Sequence, residues 1–158
     1  MISARNGYAL RGITTDFGLC VLVGATPSAD AGDSREEIGT ALALITGAPF
    51  ADTDYRWVVA DNLVATITTQ IRSATLRLCE LSAGTNPELE RWACHQGLLA
   101  NPADQTLAAS ALGAAAATGS PGALANEWAA TRSRLGSVGA DIDPSLRAHH
   151  RRLSTEER

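Results

Sequence analysis

Seven apolar residues, Ala60, Val64, Ile67, Ile71, Ala74, Leu78 and Leu81, follow one another at spacings of 4-3-4-3-4-3. An α-helix returns side chains to one face at that interval, so the segment from about 54 to 83 reads as a helix with one buried stripe. Asn62, Thr69, Gln70, Arg72, Arg77 and Glu80 fall off the stripe. A coiled coil shares the spacing, but about three heptads with alanine at two seam positions would make a weak one. A helix hairpin within one domain is the better reading.

Shorter helices flank this one, each marked at its ends. Asp16 caps a helix carrying Phe17, Val21 and Leu22 up to Gly24, and 26–33 is a loop of small and polar residues. Ser34 and Glu37 have the spacing of a capping box, opening a helix with Ile38, Ala41, Leu42 and Ile45 on one face that stops at Gly47, before Pro49. Tyr55 and Trp57 fix the start of the long helix, and Gly84 ends it. Asn86-Pro87 starts the next, with proline where no N–H is needed and Glu88 and Glu90 at the positive end of the dipole. Its face is Leu89, Trp92 and Ala93, and Gly97 is its expected stop. Asn101-Pro102 repeats the start, for a helix with Leu107, Ala108, Ala111, Leu112 and Ala115 as far as Gly119. Ser120-Pro121 begins a third, with Leu124, Trp128, Thr131 and Leu135 up to Gly136, and Asp143-Pro144 a last one from Ser145 to about Leu153. Only Tyr8-Ala9-Leu10, after Gly7, reads as a strand.

An internal repeat appears at an offset of 34 residues: Ala74 with Ala108, Leu78 with Leu112, Ala83 with Ala117, Pro87 with Pro121. That is the period of tetratricopeptide helix–turn–helix repeats. The expected fold is therefore all-α: a tetratricopeptide-like array of antiparallel helix pairs, with a short strand remnant at its N-terminus. Small residues let such helices approach closely and leave a concave face for a partner.

The chain has 158 residues, 45% hydrophobic and 19% charged, the composition of one globular domain. It holds no apolar run long enough to span a bilayer, and Met1 to Gly12 lacks the apolar middle of a signal peptide, so a cytoplasmic location without membrane contact is expected. The net charge of −4 opposes unguided binding to nucleic acid. All 13 basic residues are arginine. Cys20, Cys79 and Cys94 are odd in number and widely spaced, which fits free thiols in a reducing compartment better than a disulfide framework or a zinc site.

No catalytic pattern stands out. Cys94 and His95 are adjacent, and neighbours on a helix point about 100° apart, so they make no nucleophile–base pair. Cys79 and His95 meeting across the hairpin would supply two metal ligands, too few for a site. The pairs Asp52/Asp54, Asp141/Asp143 and Glu36/Glu37 sit at helix starts or in loops, where capping and the dipole explain them. No phosphate loop, HExxH or GxSxG is present. The one basic cluster, Arg147 to Arg152, suits the end of a C-terminal helix and lacks aromatic interleaving for base stacking. Trp57, Trp92 and Trp128 are anchors in an alanine-rich core. No enzyme, cofactor or metal is expected.

Several stretches together resemble the bacterial transcriptional activator domain of actinobacterial regulators related to antibiotic regulatory proteins. They are Gly7-Tyr8-Ala9-Leu10, Thr15-Asp16-Phe17, Ala41-Leu42-Ala43-Leu44, Gly47-Ala48-Pro49-Phe50, Tyr55-Arg56-Trp57, Gly97-Leu98-Leu99-Ala100-Asn101-Pro102 and Asp141-Ile142-Asp143-Pro144. The likeness covers about residues 7–153 and looks nearest to regulators that also carry a LysM segment. It implies that 1–15 resembles the end of a winged-helix wing, 16–153 the helical activator domain, and 154–158 a tail. It also implies a protein-interaction or dimerisation module, with DNA read only through an upstream winged helix that this chain lacks. A stand-alone adaptor or oligomerisation protein is the alternative. The expected partner is a protein or a second copy of the chain, meeting Asn62, Gln70 and Arg77 off the long seam, or Arg147, Arg151 and Arg152.

Overall fold

A computed structural model describes residues 31–51 and 63–156 of the chain. The described residues form α-helices without any strand: α1 Ala31–Ala43, α2 Leu63–Ser82, α3 Pro87–Ala100, α4 Gln105–Ala117, α5 Ala123–Ser137 and α6 Pro144–Glu156. The all-α class holds. The strand at 8–10, the helix from Asp16, and Asp52, Tyr55, Trp57 and Asn62 lie outside the described residues.

Connections of four residues, 83–86 and 101–104, turn the chain back so that α2, α3 and α4 pack as antiparallel neighbours. α3 packs most extensively, against both α2 and α4; further contacts join α1 to α3, α2 to α4, and α4 to α6. The seam of α2 is buried at Ile67, Ile71, Ala74 and Leu78, and Thr75, Cys79 and Ser82 beside it are buried as well, so the stripe is wider than its spacing alone indicates.

Two cores result. Ile38 and Leu42 of α1, Ile67, Ile71, Ala74, Leu78 and Cys79 of α2, and Ala93 and Cys94 of α3 form the first, with Trp92 packed at its edge. Ala108 and Leu112 of α4, Leu124 and Leu135 of α5, and Leu146 of α6 form the second, edged by Trp128. α4 separates them: Ala111 faces the first core, while Ala108 and Leu112 face the second. A helix between two cores must be apolar around most of its circumference, and the sequence of α4, largely alanine and leucine, meets that demand. The 34-residue offset has a physical counterpart here, because Leu78 and Leu112 are each fully buried, one in each core.

Several helix ends differ from the sequence expectation. α1 begins at Ala31, which puts Ser34 within the helix and removes it from the cap position. It ends at Ala43, before Gly47, where i to i+3 bonds from the Leu44 and Ile45 amides tighten the backbone. Gln96 of α3, with its amide nitrogen turned toward α1, donates to the Ile45 carbonyl at 3.1 Å, beyond the helix end, and at 3.2 Å to the Leu42 carbonyl, which also accepts from the Ile45 amide.

Asn86 and Pro87 behave as read: the Asn86 side chain accepts from the Leu89 amide and Pro87 takes the first turn. Asn101-Pro102 does not open a helix. Asn101 is the C-cap of α3, and α4 starts at Gln105 behind Asp104, whose carboxylate accepts from the Thr106 and Leu107 amides. Pro121 likewise lies ahead of its helix. Gly122, at φ 79°, is the N-cap of α5, a left-handed conformation that a β-carbon disfavours.

Gly97 does not stop α3, which continues to Ala100. A β-carbon there would lie 2.6 Å from Leu107 Cδ1 and 2.7 Å from Thr75 Oγ1. The glycine is present because α2 and α4 both close against that point of α3.

Candidate functional site

The surface holds an open cleft of about 650 Å³ between the C-terminal half of α4, the following turn and the end of α6. Gly113, Ala116, Ala117, Gly119, Pro121 and Leu153 line it. The room exists because the glycines and alanines carry almost no side chain. A β-carbon on Gly113 would meet nothing within 4 Å, in contrast to Gly97. Two devices place α6 along this cleft. The Gln105 amide donates to the Asp141 carbonyl at 2.8 Å and accepts from the Asp143 amide at 2.8 Å, holding the loop ahead of α6. The His150 ring stacks on Trp128, with centroids 4.3 Å apart.

Of the partner-facing residues expected from sequence, Asn62 is outside the described residues. Gln70 is half-buried on α2, and Arg77 is exposed and ion-paired with Glu80 at 3.2 Å on its own helix. Arg147, Arg151 and Arg152 are exposed on α6. Arg152 Nη2 lies 2.8 Å from His149 Nδ1, and His149 Nε2 lies 3.2 Å from the Ala109 carbonyl. The carbonyl can only accept, so Nε2 carries the proton and Nδ1 accepts from Arg152. Arg152 thus positions a histidine that ties α6 to α4. α2 and α6 are not principal packing partners, so the two groups of residues do not form one site.

The chemistry-bearing residues converge elsewhere. His95 of α3 reaches Glu127 of α5, with Nε2 2.8 Å from Oε2, and Arg134 Nη2 lies 3.8 Å from Oε1. The Glu127 side chain is only 2% exposed, whereas His95 is 40% exposed. Burial by itself raises the Glu127 carboxyl, but the His95 hydrogen bond, with the charges of His95, Arg134 and Arg91, outweighs it and holds the group below the usual glutamate value. The pair links α3 to α5. Sequence reading missed it. The partners are 32 residues apart, and only their positions in successive helix pairs connect them.

Cys79 does not meet His95 across the hairpin. It meets Cys94, with the sulfurs 3.5 Å apart and both thiols free and buried. Hydrogen bonding to Cys79, then burial, then the charges of Cys79, Glu90 and Glu127 push the Cys94 thiol far up. Cys94 and His95 point to different environments, as their adjacency requires: Cys94 is fully buried and His95 turns outward to Glu127. Among the described residues no three His, Cys, Asp or Glu side chains converge as metal ligands, and no helix is long and apolar enough to cross a membrane.

No protein-family model, no curated protein and no solved structure matches this chain.

Proposed function

We propose that the chain is a non-catalytic interaction module that pairs with a second copy of itself through the cleft between α4 and α6. The observation that carries this reading is the open cleft of about 650 Å³, lined largely by glycine and alanine. The packing of helices on neighbours and next-but-one neighbours fits a tetratricopeptide-like array, whose open faces serve as docking surfaces. The resemblance to the bacterial transcriptional activator domain assigns such a module to a transcriptional regulator, where it would work in the cytoplasm beside a DNA-reading winged helix. A second reading, an adaptor for an acidic protein segment, is favoured by Arg147 and Arg151. Both are exposed on α6 without an ion pair among the described residues.

Sedimentation equilibrium tests the first reading. The wild-type chain should associate to a dimer as its concentration rises through the micromolar range. Gly113→Leu, which fills open space in the cleft, should remain monomeric with unchanged helical content. A wild-type monomer at every concentration, or a Gly113→Leu chain that dimerises equally well, refutes it.

A further inference from the structure

We propose that Cys79 and Cys94 are a redox-active pair, closed by a peroxide to a disulfide that staples α2 to α3 and reopened by a dithiol. Three observations converge on it. The two sulfurs already lie 3.5 Å apart, and neither cysteine is bonded. They project from consecutive helices of one antiparallel hairpin, so closing to the ~2.05 Å of a disulfide asks the sulfurs to approach by about 1.5 Å. The pair is also asymmetric: Cys79 is 7% exposed, with Glu90 half-buried beside it and the Glu90 carbonyl 3.7 Å from its sulfur, while Cys94 is wholly enclosed.

That asymmetry sets the order of events. The Cys79 sulfur, nearer to solvent, attacks one oxygen of hydrogen peroxide; the O–O bond breaks, one water leaves and Cys79 becomes a sulfenic acid. The Cys94 sulfur then attacks the Cys79 sulfur. The S–S bond forms, the S–O bond breaks, and the hydroxyl leaves as a second water with the Cys94 proton. Overall two thiols lose two hydrogens and one peroxide becomes two waters. A small dithiol reverses the step by thiol–disulfide exchange. Both sulfurs lie in the first core, in one apolar cluster with Leu78 and Ala93. The third cysteine, Cys20, lies outside the described residues, and the balanced step does not require it.

The arrangement of arginines makes the test direct. Trypsin places Cys79 in peptide 78–91, Cys94 in peptide 92–132 and Cys20 in peptide 12–35. The folded chain is treated with hydrogen peroxide, its remaining thiols are alkylated in denaturant, and the digest is analysed by mass spectrometry. The expected product is peptide 78–91 joined to 92–132, lighter than their sum by two hydrogens and released by dithiothreitol, with Cys20 still alkylated. In Cys94→Ser, dimedone should label Cys79 as a trapped sulfenic acid. Peptides 78–91 and 92–132 both recovered alkylated, at a peroxide dose that fully oxidises free cysteine in the same tube, would overturn the proposal. A cross-link that runs only to peptide 12–35 would overturn it equally.

Discussion

At the scale of single residues, two glycines on facing parts of the array behave in opposite ways. Gly97 sits where α2 and α4 press on α3, and an added methyl would enter the space of Thr75 and Leu107. Gly97→Ala should cost about 1–3 kcal/mol through overpacking, even though alanine is the better helix former. Gly113→Ala meets open space and should gain up to about 1 kcal/mol from helix propensity. Urea denaturation of the two variants checks the contrast, and equal effects would mean that the close approach at Gly97 does not exist. Glu127 makes a second prediction, with a definite sign. Its carboxyl is held below the ordinary value of 4.5 when the chain is folded, so its contribution is present above that pH and disappears as pH falls through the folded value. Glu127→Gln should destabilise the chain by about 1–2 kcal/mol at pH 7, discounted for the exposed His95 side. The gap from wild type should close as denaturation curves are taken down to pH 3.

At the scale of elements, the stability of α6 depends on few contacts. It buries one leucine, Leu146, packs Leu153 partly buried against the second core, and is further held by Gln105, by His149 on the Ala109 carbonyl and by the Trp128–His150 stack. Gln105→Ala leaves the Asp141 carbonyl and the Asp143 amide without the side chain that now joins them. Hydrogen exchange in 144–156 should then accelerate severalfold while α2 and α3 keep their protection. Acceleration spread evenly over all helices would show that α6 does not open by itself. The same elements show how far the sequence could be read. The existence and order of the helices from 31 onward were legible, because apolar residues recur at helical spacing and Asn86-Pro87 marks a start plainly. Asn101-Pro102 misleads because an asparagine before proline serves a turn as readily as a helix start; Asp104, three residues on, held the true cap. Gly97 misleads for a related reason, since a glycine demanded by close packing looks the same in sequence as one demanded by a helix end. The cysteine contact was not legible: the hairpin was foreseen, but nothing in the sequence says whether Cys94 or His95, about 100° apart on the helix, faces Cys79. The His95–Glu127 pair was not legible, since nothing local in either segment announces a partner 32 residues away.

At the scale of the whole molecule, two small cores share α4, and the alanine-rich sequence of that helix suits packing on both sides. Helices that must pack on two sides need small side chains, and those side chains leave shallow ground wherever no further helix covers them. The cleft at Gly113, Ala116 and Ala117 is such ground. In the proposed dimer a second copy of the chain covers it. Hydrogen–deuterium exchange of the wild-type protein, compared at low and high micromolar concentration, tests this most directly. Slower exchange at high concentration is expected in 113–121 and 153–156, with α1 to α3 unchanged. Identical exchange at both concentrations, or protection confined to other helices, would contradict it.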